Sequence, residues 1–99
     1  MELKDLSAEM TSFVETMGWN DSDTPKPQTG RNLAISLSVE AAEVLELFQW
    51  TDDLPEKPAL ASELADVCLY LLQLAGVAEI DLEQVVLEKL QRNYGRSWG

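Results

Sequence analysis

The sequence predicts an all-α protomer resembling a four-helix bundle, on three observations. Apolar residues recur at steps of three and four in four separate segments. No segment alternates apolar and polar residues as a half-buried strand does. With 99 residues, 45% apolar and 25% charged, the chain holds a single domain over residues 1–99. The first helix is expected over about residues 2–17, where Leu3, Leu6, Met10, Phe13, Val14 and Met17 carry the pattern and Gly18 stops it. A polar stretch from Trp19 to Gly30 follows, and a connection of that length in so small a domain suggests a functional loop. The second helix runs from about Asn32 to Trp50. An acidic, proline-marked turn from Thr51 to Pro58 separates it from the third, about Ala59 to Ala78. The fourth opens at Asp81, whose spacing to Gln84 fits a capping box, and frays near Gly95.

Composition excludes several chemistries. There are 18 acidic against 7 basic residues, a net charge of −11, no histidine and one cysteine. Ser-His-Asp and Cys-His catalysis and a Cys/His zinc site are therefore impossible. The chain can form no internal disulfide, which suits a reducing compartment and gives the expectation of a cytoplasmic protein. The longest uncharged apolar-rich run, Val67 to Ala78, has 12 residues and is too short for a bilayer. The first residues, Met1-Glu2-Leu3-Lys4-Asp5, lack the basic start of a signal peptide. So acidic a chain repels nucleic acid and anionic membranes, and any anionic substrate needs a mediating cation.

The third helix is apolar nearly all round, which predicts partners on more than one side and at least a dimer. At about 100° per residue, its polar groups Glu63, Asp66, Tyr70 and Gln73 share one stripe about 80° wide. On the second helix Glu40 falls inside the apolar arc and Glu43 on its shoulder. Both helices thus carry acids three residues apart, Glu40/Glu43 and Glu63/Asp66, which are neighbours on one face. Facing each other across antiparallel helices, they would gather four carboxylates in one cleft. Neither central segment offers a lysine or arginine between Asn32 and Trp50 or between Ala59 and Ala78. Oxygen ligands of this kind suit Mg²⁺, with Mn²⁺ as the alternative. A solvated acidic face is the plain alternative.

The last helix carries three of the seven cations, Lys89, Arg92 and Arg96, near Asn93. That stripe could hold phosphates, although cations near a helix C-terminus also favour the helix dipole. Arg31 and Asn32 are a further polar pair before the second helix. Trp50 and Trp19 lie beside loops, where their rings could stack on a nucleobase or pack on a neighbouring subunit. Trp98 could pack back on the bundle, and Cys68 lies on the apolar arc as a small core residue. Asp21-Ser22-Asp23 starts like a calcium loop but lacks the glycine and glutamate that would complete one.

These residues together resemble the MazG-like nucleotide pyrophosphohydrolases of the all-α NTP pyrophosphatase group. The likeness runs from about Trp19 to Arg96. It rests on Arg31-Asn32-Leu33, on Glu40-Ala41-Ala42-Glu43 through Glu46-Leu47-Phe48-Gln49-Trp50, on Glu63-Leu64-Ala65-Asp66-Val67 with Tyr70, and on Lys89 with Asn93. It is closest to the short, single-domain branch similar to the dCTP pyrophosphatases. The resemblance implies a tight dimer or a dimer of dimers. It implies Mg²⁺-dependent cleavage of a nucleoside triphosphate to the monophosphate and pyrophosphate, favouring deoxynucleotides such as dCTP, in nucleotide-pool cleaning. It also implies Glu40, Glu43, Glu63 and Asp66 as metal ligands, Trp50, Tyr70 and Trp19 as base or sugar contacts, and Lys89 and Asn93 as phosphate contacts. Relatives selective for dCTP often carry a histidine before the Arg-Asn-Leu stretch. Its absence here suggests a broader deoxynucleotide range with pyrimidines still favoured. The competing class is a non-catalytic acidic helical dimerisation module binding a basic partner.

Overall fold

A computed structural model describes residues 2–19, 23–25 and 27–96. Within them the chain forms α1 (Leu3–Thr16), α2 (Gly30–Glu46), α3 (Lys57–Val77) and α4 (Leu82–Tyr94), and no strand occurs among the described residues. The expected helices are all present, with shifted ends. The α2 helix starts two residues early because the Asn32 backbone N–H donates to the Thr29 hydroxyl at 3.1 Å, making Thr29 the cap. It also stops early. The N–H groups of Leu47, Phe48 and Gln49 donate to carbonyls three residues back, at 3.2, 3.0 and 3.3 Å. This tightened turn ends the helix at Glu46 and leaves Trp50 88% exposed. Pro58 sits inside the first turn of α3, where a missing N–H costs nothing. At α4, Asp81 caps the Gln84 N–H at 3.1 Å, but the Gln84 side chain donates forward to Glu88 at 2.9 Å, so only half of the expected box forms.

Two helices end in the same way. After α1, the Gly18 N–H donates to Glu15 and the Trp19 N–H to Val14, with Gly18 at φ 72°. After α3, the Glu79 N–H donates to Gly76 and the Ile80 N–H to Ala75, with Glu79 at φ 57°. Both are Schellman caps, which need a left-handed residue. The first turns Trp19 back onto Phe13, their rings meeting edge to face with centroids 5.4 Å apart.

The α2 and α3 helices form an antiparallel pair. The start of α2 lies by the end of α3, since a Cβ on Gly30 would meet Leu74 at 3.9 Å, whereas Glu40 and Glu43 lie by Glu63, nearer the start of α3. The α1 helix packs on α3, and α4 packs chiefly on α1. The buried apolar set is small: Met10, Val14, Leu33, Leu72 and Ala75. No residue of α4 is buried, so α1, α2 and α3 make the core and the fourth helix does not close a bundle around it. Gln73, expected on the polar stripe of α3, is instead buried and lines a small cleft with Thr11, Gly76 and Val77. Cys68 is half-buried.

The single chain is open. Its radius of gyration of 15.9 Å exceeds the ~13 Å of a compact chain of this length. Its accessible surface of 7593 Å² exceeds the roughly 5,600 Å² of a compact monomer of this mass. Leu64, Leu69, Leu71 and Val77 of α3 and Val85, Val86, Leu87 and Leu90 of α4 are exposed. By length and composition α3 is apolar enough to cross a membrane, with mean hydropathy 1.4 over its best 18-residue window, 17% of it buried. The count of uncharged residues did not reveal this, because Glu63 and Asp66 interrupt the run.

Candidate metal centre and adjoining cavity

Both acid pairs lie on the faces that α2 and α3 turn toward each other. One carboxylate oxygen from each of Glu40, Glu43 and Glu63 lies within 4.8 Å of the others. All three residues are half-buried, as is Asp66. Glu43 is the neighbouring side chain that raises the pKa of both of the others through side-chain interaction and charge. Glu40 is raised above the ordinary glutamate value first by burial, then by its hydrogen bond with Glu43 and by the negative charge of Glu43 and Asp66. Glu63 is raised first by its hydrogen bond with Glu43, then by burial and by the charges of Glu43, Glu40 and Asp66. Two carboxylates can hydrogen-bond only by holding a proton between them, so the metal-free cluster retains protons that separate glutamates would release. Even so, the Oε2 atoms of Glu40 and Glu63 are buried without a hydrogen-bond partner. Orphaned acceptors in a crowded acidic cleft fit a hard divalent cation, which would satisfy the oxygens and replace the protons.

Asp66 also lines a cavity of about 680 Å³ that lies among α1, α2, α3 and the loop before α2. That volume is in the range of small-molecule sites. Its walls are mainly apolar and aromatic, with Met10, Phe13, Trp19, Leu33, Leu69 and Tyr70 prominent. Of the residues expected to bind substrate, Trp19, Asn32 and Tyr70 line it. Asn32 has a second task, because its side-chain amide donates to the Pro27 carbonyl at 3.1 Å and ties the loop to α2. Trp50 lies outside the lining and Arg31 is exposed. Lys89, Arg92 and Arg96 are exposed and Asn93 half-buried, and Lys89, Arg92 and Asn93 sit on α4, which packs chiefly on α1. Parts of the predicted base-reading loop, Asn20, Asp21, Ser22 and Lys26, lie outside the described residues, as does Trp98. Sequence reasoning missed the contribution of α1. Leu6, Glu9, Met10 and Phe13 all line the cavity, and their i, i+3, i+4, i+7 spacing was the available signal.

Comparisons with known proteins agree on one group. A profile described as the MazG-like family matches residues 35–97. The dCTP pyrophosphatase 1 of Mus musculus is 34% identical over 103 residues, covering 95% of this chain and 58% of the mouse protein. That of Homo sapiens is 36% identical over the same span and shares. The chain thus spans 58% of the length of the curated relatives it matches. Among solved structures, a pyrophosphatase from Archaeoglobus fulgidus superposes with a TM-score of 0.76 at 37% identity, over 91% of this chain and 86% of that one.

Proposed function

Since the chain belongs to the MazG-like family, we propose that it is a metal-dependent nucleoside triphosphate pyrophosphohydrolase, releasing the monophosphate and pyrophosphate. The observation that carries this reading is the acid cluster with two orphaned oxygens, opening through Asp66 onto an aromatic-lined cavity of nucleoside size. The likeness to the dCTP pyrophosphatases and to the archaeal pyrophosphatase favours the same chemistry and a deoxynucleotide substrate such as dCTP. Removal of surplus nucleotides from the pool is the role this chemistry would serve.

Glu40, Glu43, Glu63 and Asp66 would hold the cation, with Mg²⁺ as the first choice and Mn²⁺ as the second. When bound, such a cation neutralises triphosphate charge and lowers the pKa of a bound water. The protein's own groups do the rest. Trp19 offers its ring to the base, and Tyr70 shapes the passage between base and phosphates. Glu43, clustered with the other two carboxylates, is the group we assign to accept a proton from the attacking water. No covalent intermediate is required.

The assembly completes the site in this reading. The exposed apolar faces of α3 and α4 are the surfaces a second copy would cover, giving a dimer and, by pairing of dimers, a tetramer. Across such an interface Lys89 and Asn93 would reach phosphates, Arg31 would add a further contact, and Trp50 would reach substrate. In this reading the exposed α3 face is an interface and not a lipid contact, which goes with the expected cytoplasmic location and with residues 1–99 folding as a single domain. The test is an assay of the NTPs and dNTPs with Mg²⁺, separating the products. Pyrophosphate with the matching monophosphate is expected; orthophosphate with the diphosphate, or no turnover, would contradict the reading. Light scattering that found a folded monomer at low micromolar concentration would contradict the assembly.

A further inference from the structure

Glu9 has no role in the chemistry described so far. It shares the cavity-lining stripe of α1 with Leu6, Met10 and Phe13 and is itself exposed, so its carboxylate is open to solvent and to a ligand in the cavity. It has no hydrogen-bond or ion-pair partner among the described residues. In a chain of net charge −11, a carboxylate beside a nucleotide cavity raises the local negative potential unless it receives a donor from the ligand.

We propose that Glu9 is the specificity-determining residue that accepts a hydrogen bond from the exocyclic amino group of the base. The proposal rests on the nucleotide reading above. Gln28, Asn32, Ser36 and Tyr70, which also line the cavity, each carry both donor and acceptor atoms and tolerate either kind of base edge. An ionised carboxylate accepts only. Asp66 is the other carboxylate of the lining, and it is engaged with the acid cluster. Cytosine presents an amino donor at C4, where uracil and thymine present a carbonyl acceptor. Glu9 facing that carbonyl sets two acceptors against each other, where facing the amino group it gains a donor. The difference between a made and a mismatched hydrogen bond favours cytosine. The device works without a histidine in the loop and adds to stacking, which accepts any base.

The test compares dCTP with dUTP, which differ at C4 and at the N3 proton, in the wild type, Glu9→Gln and Glu9→Leu. Binding of dCMP and dUMP by calorimetry runs beside it. The wild type is expected to favour cytosine by about ten-fold or more in kcat/KM. Glu9→Gln, whose amide can donate to the C4 carbonyl, should collapse that ratio by about ten-fold, mainly through a lower KM for dUTP. Glu9→Leu should weaken dCMP binding and relieve the acceptor clash with dUMP, narrowing the preference from both sides. A Glu9→Gln ratio within about two-fold of wild type would overturn the proposal, as would a wild type that prefers dUTP. If no nucleotide is hydrolysed at all, the pyrophosphohydrolase reading fails separately. The dCMP and dUMP affinities then decide on Glu9 alone: a preference lost in Glu9→Gln supports it, and equal binding by wild type and variant overturns it.

Discussion

The α2–α3 pair and the α4 helix are built to different degrees by the single chain. The pair buries Leu33, Leu72 and Ala75 and holds three carboxylates within 4.8 Å of one another. The α4 helix has no buried residue, leaves Val85, Val86, Leu87 and Leu90 exposed, and carries Lys89, Arg92 and Asn93 on a helix that packs chiefly on α1. The difference separates two halves of one proposed site. The half proposed to bind metal is a product of intrachain packing, so its carboxylates gather wherever α2 and α3 fold. The half proposed to contact phosphate lies on a surface that, in that reading, a second copy covers. The two should therefore respond differently to mutation and to dilution.

The largest expected effect falls on the acid pair. Glu63→Gln, Glu40→Gln or Asp66→Asn should each cost on the order of 10²-fold or more in kcat while helicity by circular dichroism is unchanged. Two variants near wild-type rates in saturating Mg²⁺ would break the assignment. The next effect separates Trp19 from Trp50. Trp19→Ala, inside the cavity of its own chain, should raise KM by about ten-fold, as loss of base stacking does. Trp50→Ala should raise KM by a similar factor only where the protein is assembled. A Trp50 effect that persists below the concentration at which light scattering shows dissociation would place Trp50 in the site of its own chain.

The third effect concerns pH. Glu40 and Glu63 are raised above the ordinary glutamate value of 4.5 in the folded chain. The native state therefore keeps protons that the unfolded state releases, and the stability linked to them is complete below that value and lost as pH rises through the raised ones. In metal-free protein, Glu40→Gln should melt near wild type in acid and above it at neutral pH. Saturating Mg²⁺ should reverse that advantage. An equal difference at both pH values would mean that the cluster is not proton-linked. The smallest effect compares the two Schellman caps. Gly18→Ala should destabilise and Glu79→Gly stabilise, each by roughly 0.5–1 kcal/mol in chemical denaturation. The first has φ 72° with the residue type the cap prefers; the second has φ 57° with a residue that resists it.

The sequence made the acids legible because i, i+3 spacing is set by the helix itself, so Glu40/Glu43 and Glu63/Asp66 had to share faces. Helix existence was legible for the same reason. Helix ends were not, since the Thr29 hydroxyl and the tightened turn at Leu47–Gln49 depend on backbone geometry that periodicity does not carry. That turn decides where Trp50 goes, so Trp50 looked like the leading stacking residue and Trp19 the second. The structure gives Trp19 the cavity because Gly18 reverses the chain there. Gln73 misled for a different reason: a helical wheel ranks directions around one axis but does not say which neighbour stands in each, and α1 covers that direction. The placement of α4 was illegible because none of its residues is buried and most of its apolar side chains stay exposed, so little packing within the described residues fixes it.

The central claim, that the α2–α3 acids form a divalent-metal centre on their own, is tested most directly by calorimetric titration of the protein with Mn²⁺ without nucleotide. It predicts saturable binding by the wild type, release of protons that scales with the buffer's ionisation enthalpy, and loss of both in Glu40→Gln/Glu63→Gln. Equal binding by wild type and double variant, or wild-type binding that appears only once nucleotide is present, would contradict it.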